Sequence, residues 1–235
     1  HDEAVGILSV DSLSPNSFTS DNVRLLEALA THAALALGQN RLYQRAEMLR
    51  ELATAMTASL DEHDVYERIV AGLKQVIGYD NVSIQLLEPS GQRLRIVFVD
   101  GFPEPARVLG LGFPTDDPTF PNSDVIRTRA PLVVHDVGQR YPHFVQQAER
   151  YQSAGIRSLL CLPLSHGHKV MGMIALGKGV PDFYTPERVS IAASIAGTGA
   201  IAVANARAMR EIEQRVHALL TMVRGSSILI ESQRP

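Results

Sequence analysis

Cys161 is the only cysteine in the chain, so no internal disulfide can form. That usage fits a reducing compartment, with the cytoplasm as the expected location. No uninterrupted apolar run approaches the ~20 residues that a bilayer-spanning helix needs, and the amino terminus lacks the basic-then-apolar order of a signal peptide, so no membrane partner is expected. Charge of one sign is not concentrated anywhere. The 22 basic side chains are interspersed with 25 acidic ones for a net charge of −3, which leaves a nucleic-acid backbone no electrostatic handle and argues against such a partner. What is present, 45% hydrophobic and 20% charged residues, suffices for a packed core and gives no reason to invoke disorder.

Catalytic constellations are missing too. Gly110-Leu111-Gly112 lacks the third spaced glycine of a dinucleotide site and the Lys-Ser/Thr pair of a P-loop, and reads as loop geometry. His166 and His168 in "SHGHK" offer two ligands with no third nearby in sequence, so no metal site is assigned. Asp116-Asp117 has the chemistry of paired carboxylates but sits where aspartates hydrogen-bond their own turn. His135-Asp136 ends a strand-like run, where the aspartate either fixes the next turn or anchors a ligand. Cys161 lies mid-strand between leucines, as a small buried hydrophobe does. No catalytic residue is assigned, and the chain is read as a non-enzyme.

A repeat is the strongest positive signal. Laying "VGILSVDSLSPNSFTSDN" on "MGMIALGKGVPDFYTPER", with Gly6 on Gly172, pairs Thr19 with Thr185, Val23 with Val189, Ala30 with Ala196 and Arg41 with Arg207 without a gap. Both copies place an alternating apolar strand, a polar turn, a capping threonine and an alanine-rich helix in one order. The expected organisation is therefore a remnant of one domain over residues 1–45, a complete copy over 46–210, and a helix with a tail over 211–235.

The complete copy reads as mixed α/β. Asp61 caps a helix with Val65, Ile69, Leu73 and Val76 on its apolar face, ended by Gly78. Val82–Glu88 and Leu94–Val99 form a hairpin. Pro103, Pro105, Pro114, Pro118 and Pro121, five of the 13 prolines, make the next stretch irregular, and such stretches tend to cover a site. A short helix from Ser123 to Arg129, the strand "PLVVHD", a helix from Phe144 to Ala154, the strands "IRSLLCLPL" and "KVMGMIALG", and a helix capped by Thr185-Pro186 complete the reading.

"AGIRSLLCLPLSHGHKVMGMIALG" followed by "FYTPERVSIAASIAGTGAIAVANARA", with "LVVHDV" upstream, resembles the GAF domain family. The resemblance implies an α+β fold: a central antiparallel sheet of five to six strands, long amino- and carboxy-terminal helices on one face, and a loop-rich roof over a pocket on the other. It also implies a sensory role, while leaving the ligand unknown. Covalent bilin is disfavoured because Leu162, not histidine, follows Cys161, and cyclic nucleotide because its asparagine-lysine-phenylalanine-aspartate-glutamate signature is missing. A single cysteine cannot run the disulfide cycle of GAF-like sulfoxide reductases. A non-covalent small molecule remains, held by Phe113, Phe120, Ile126, Phe144 and Tyr151, with Asp136 and Arg127 as polar anchors and Cys161 nearby. Alternatively, the same side chains fill a core with no cavity.

Two helical stripes suggest the output. Leu35, Leu42, Leu49 and Met56 recur every seventh residue, with Ala46 and Ala53 between them. Met209, Ile212, Val216, Leu219 and Val223 alternate spacings of three and four. A helix that outruns its domain must bury such a stripe, and the same helix of a second copy is the simplest partner, so a homodimer is expected. Two function readings result. One is a sensor that signals through coiled-coil-like helices to an output domain such as a histidine kinase of a two-component system or a cyclase. The other is a dimerisation spacer without a ligand. His217 lacks the acid directly after it and the following proline of a kinase phosphoacceptor box.

Overall fold

The protein is described here from a computed structural model, covering residues 6–57, 61–150 and 155–231, with side chains described outside 41–46, 48–60, 147–154 and 218–231. The chain falls into two units, residues 1–51 and 52–235. Helix α1 (Ser20–Thr57), which starts in the first unit, begins as expected. Thr19 accepts the Val23 N–H at 3.1 Å on its carbonyl and the Asn22 N–H at 3.3 Å on its hydroxyl. The start of the last helix repeats this bonding 166 residues later (185 − 19), with Val189 N–H on the Thr185 carbonyl and Arg188 N–H on its hydroxyl. The strand expected over "VGILSV" does not form: residues 6–10 carry no ladder. A strand exists only through its neighbour's hydrogen bonds, and among the described residues this unit offers none.

In the second unit, α2 (Glu62–Val76) is capped by the Asp61 carboxylate, which accepts the His63 and Asp64 N–H groups. Then come β1 (Asn81–Leu87), β2 (Arg93–Asp100), α3 (Pro105–Val108), β3 (Gly112–Pro114), α4 (Pro121–Thr128), β4 (Leu132–Val134), α5 (Val137–Arg140), α6 (Pro142–Arg150), β5 (Ser158–His166), β6 (Lys169–Lys178) and α7 (Pro186–Glu231). The six strands form one antiparallel sheet in the order β3-β2-β1-β6-β5-β4. The proline-rich stretch is less irregular than expected, because Gly112, Phe113 and Pro114 pair with Arg95, Leu94 and Arg93 at the sheet edge, where proline's missing N–H can be tolerated. Helix α4 starts at Pro121 rather than Ser123, because proline's fixed φ suits a first turn.

Alternation divides the sheet into two faces. Val82, Ile84, Leu86, Leu160, Leu162, Leu164, Ile174 and Leu176 point to one side and are buried. That side is covered by α2 and α7, which pack on each other and, through α7, on β5. At Gly199 the two helices approach so closely that a Cβ would lie 2.6 Å from Ile69 Cδ1. Glu62 clamps the pair: it accepts the Tyr66 O–H at 2.7 Å and faces Arg207 and Arg210 at 3.4 and 3.3 Å. By length and mean hydropathy (1.6), Pro186–His217 of α7 could cross a bilayer, although polar residues interrupt its apolar sequence. Its Ala192, Ile195, Ala196, Ala200, Val203 and Ala206 are instead buried in this core.

Candidate functional site

The opposite face of the sheet carries the site. Asn81, Ser83 and Gln85 alternate along β1 and point away from α2 and α7, a polar row on a central strand. Such a row ordinarily faces water, yet Ser83 and Gln85 are each only 5% exposed because the segment from Phe102 to Phe144 roofs them. The roof is stitched down at a β-bulge. Between Ile84 and Gln85 the register on β2 skips Val97, and Ile96 turns its N–H to Leu111 O and its carbonyl to Gly110 N, both at 2.9 Å. Arg95 and Arg93 add bonds of 2.8 Å to the carbonyls of Gly110 and Gly112.

Between floor and roof lies a cavity that offers water centres about 60 Å³. Ser83, Gln85 and Asn122 form a hydrogen-bonded row along it: Asn122 Nδ2 donates to Gln85 Oε1 at 2.9 Å and Gln85 Nε2 donates to Ser83 Oγ at 3.2 Å. Phe102, Phe113 and Phe144 supply ring surface, and Ile96, Val108, Leu111, Ile156, Leu159 and Ala175 most of the remaining apolar wall.

Of the residues expected from sequence, Phe113 and Phe144 line the cavity. Phe120 stands behind that wall, 5% exposed, with its ring 5.7 Å from Phe113 and 6.4 Å from Phe144. Ile126 and Cys161 belong to the adjacent core of Leu94, Val125, Val134, Val137, Tyr141, Leu159 and Met173. Cys161 thus faces the roof side, and burial pushes its thiol well above the usual range. Arg127 is exposed and paired with Asp124. Asp136 caps α5 by accepting the Gly138 and Gln139 N–H groups and meets Arg157 at 3.3 Å, which holds its carboxyl low. It serves a turn and stands outside the lining. Its neighbour His135 faces Asp182 at 3.0 Å. Tyr151 lies outside the described residues. Sequence reasoning missed Ser83, Gln85 and Asn122.

The GAF domain family matches residues 61–203. The chain belongs to the GAF domain family. The GAF domain from a Coxiella burnetii phosphoenolpyruvate-protein phosphotransferase is similar at a TM-score of 0.61 and 15% identity, over 71% of this chain and 96% of that one. The GAF domain of an Acinetobacter phosphoenolpyruvate-protein phosphotransferase is similar at 0.57 and 18%, over 70% and 95%. Residues 122 to 287 of a methyl-accepting chemotaxis protein match at 0.56 and 18%, over 67% and 98%. At these identities the likeness speaks for the fold. No curated protein matches the sequence. GAF domains occur in sensor and signalling proteins and are in general regulatory rather than catalytic.

Across the GAF roof, one contact ties α4 to the α5–α6 corner. The buried Tyr141 donates its hydroxyl to Asp124 Oδ2 at 2.6 Å, while Arg127 and Arg140 flank the carboxylate. Burial first, then the bond to Asp124, pushes the Tyr141 hydroxyl up to about 12. The bond from Tyr141 first, then that from Arg127, holds the Asp124 carboxyl below its usual value. A carboxyl with a depressed folded pKa stabilises fully above its unfolded value, near ~3.9, and loses that contribution as pH falls through the folded value. For the tyrosine the sign reverses: its contribution is complete below pH ~10 and lost as pH rises through about 12. Tyr141→Phe should therefore cost about 1.5 kcal/mol between pH 5 and 9, the low end of the range for a bond to a charged group, since Asp124 is partly exposed. The gap between parent and variant in urea unfolding should narrow below about pH 4. A gap that stays constant down to pH 2.5 would remove Asp124 as the partner that matters.

Proposed function

We propose that this GAF domain is a cytoplasmic sensory module that binds a small molecule non-covalently in the roofed cavity. Occupancy is passed through α2 and α7 to an output domain such as a histidine kinase of a two-component system or a cyclase. The observation that carries the reading is the buried row Ser83–Gln85–Asn122 at an unfilled space. A chain gains nothing in stability by burying three polar side chains beside a cavity, where apolar ones of like shape would serve as well or better. The roof is built from short pieces, with β3 fixed to the sheet edge and α3 and α4 as separate short helices, so the helical part can reorganise while the central strands stay in place. The Glu62 clamp to Arg207 and Arg210 sits where α2 and α7 would shift. We read the molecule as a homodimer formed along the stripes of α1 and α7, and residues 1–45 as the end of a preceding domain of the same kind.

Thermal unfolding against a panel of metabolites tests the reading. A ligand at 100 times its dissociation constant should add about 2.7 kcal/mol. A Phe144→Trp variant, which fills the cavity, should abolish that gain while keeping its own unfolding cooperative. The cavity's small size favours the other reading, a spacer that binds nothing. No shift with any compound, in parent and variant alike, decides for it.

A further inference from the structure

We infer that the cavity selects an uncharged, flat ligand carrying a hydrogen-bond donor and acceptor side by side, an aromatic amide or lactam, and rejects the matching carboxylate. The inference rests on the proposed ligand-binding role and narrows its chemistry. Among the described residues that line the cavity none is ionisable: the polar members are Asn81, Ser83, Gln85 and Asn122. An ion placed there exchanges its hydration for neutral dipoles alone, which disfavours the charged form. The start of α4 borders the cavity through Pro121 and Asn122. There Pro121 has no N–H, and the Ser123 N–H is already bonded to Phe120 O, which leaves an anion little to bind.

The polar row reads a neutral amide edge in a specific way. Asn122 donates one N–H to Gln85 and Gln85 one to Ser83, which leaves the second N–H and the carbonyl of the Asn122 amide side by side for a ligand, with the Ser83 hydroxyl hydrogen at the far end of the row. Turning both amides over reverses the row: Ser83 donates to Gln85, Gln85 donates to Asn122, and the Asn122 amide still presents its N–H groups beside the second lone pair of its oxygen. In either polarity one donor and one acceptor are offered together, which suits a group that presents both. Carboxylates present acceptors only. Gln85 is held at the bulge and Ser83 lies on the same strand, so that end of the row belongs to the sheet while Asn122 is carried on α4. A bound amide would therefore bridge floor and roof.

Size agrees. At roughly 10–15 Å³ of centre volume and about 30 Å³ of liquid per water, the cavity displaces about four to six waters, the bulk of one substituted six-membered ring. Phe102, Phe113 and Phe144 give such a ring aromatic surfaces to lie against.

The test uses two isosteric pairs, nicotinamide against nicotinate and benzamide against benzoate, titrated at pH 7.5 into the full chain and followed by saturation-transfer NMR and thermal unfolding. Each amide should bind at least tenfold more tightly than its acid. Ser83→Ala and Gln85→Met should each weaken the amide at least fivefold. Because Ser83→Ala removes one oxygen, it keeps the test open if Gln85→Met folds poorly. An acid that binds as well as its amide, or amide binding indifferent to both variants, overturns the inference. If only charged members of the metabolite panel stabilise the protein, the ligand class is wrong and the sensory reading survives. If neither the four probes nor the panel moves the unfolding midpoint, both fall.

Discussion

Alanine at Gly172 should lower stability by about 3 kcal/mol or more, a fall of roughly 6–12 °C in the unfolding midpoint for a unit of this size. Gly172 lies in β6 opposite Leu86 of β1, at the centre of the sheet. A Cβ there would stand 2.1 Å from the Gln85 carbonyl oxygen and 2.9 Å from Leu86 Cα. Backbone cannot swing aside as a side chain can, so the two strands must part or the bulge at Gln85 must move. The effect reaches the site as well, since the strained peptide belongs to the residue that anchors the polar row. Gly6, which occupies the equivalent place in the sequence repeat, has nothing within 4 Å of the same added carbon. Gly6→Ala should change stability by less than about 0.5 kcal/mol. Calorimetry on both variants gives the answer, and a Gly172→Ala protein melting within a degree or two of its parent would refute the close β1–β6 approach.

That pair of glycines also shows where the sequence was readable and where it was not. Local rules located what local forces determine: the Asp61 and Thr185 caps, the β1–β2 hairpin, and the alternation that separates Leu159 and Cys161 from Leu160 and Leu162. They could not locate what depends on a distant partner. "VGILSV" has the pattern of a strand but no ladder, and Gly112–Pro114 has a poor pattern but a ladder to β2. The site followed the same division. Phe113 and Phe144 were legible as aromatic residues in a covering segment. Asn81, Ser83 and Gln85 alternate with Val82, Ile84 and Leu86, and such a strand reads as half solvated. Only the sheet order, with β1 between β2 and β6, reveals that the polar half is buried under the roof. A polar row on a strand followed by a proline-rich cover was the available signal. Asp136 and Arg127 drew attention because charge suggests binding, but their partners, backbone N–H groups on one and Asp124 on the other, already account for them.

Charges placed on the exposed stripe of α7 should dissociate the proposed homodimer. Ala206 is the last buried residue of that helix among the described side chains, and beyond it Met209, Ile212 and Val216 are 36%, 55% and 50% exposed. The opposite face carries the exposed pair Glu211–Arg215 one turn apart. A helix patterned this way beyond its own core gains little from propensity and must be held by something laid along the stripe. In a two-stranded seam each lost aliphatic side chain costs about 2–5 kcal/mol, so Ile212→Glu with Val216→Glu should raise the dissociation constant at least about a thousandfold. Both residues are exposed in the single chain, so the unfolding midpoint of the dissociated variant should match that of the parent diluted below its dimerisation range. Glu211→Ala with Arg215→Ala, on the polar face, should leave the mass unchanged. Sedimentation equilibrium separates the outcomes: a variant that remains dimeric would move the interface off α7, leaving Leu35, Leu42, Leu49 and Met56 of α1 as the alternative. The two seams are unequal, because Ala46 and Ala53 stand between the leucines of α1 where α7 has larger side chains. Affinity should therefore reside in α7, while the thinner α1 seam, weakly fixed in register, is the one a ligand-driven movement could shift.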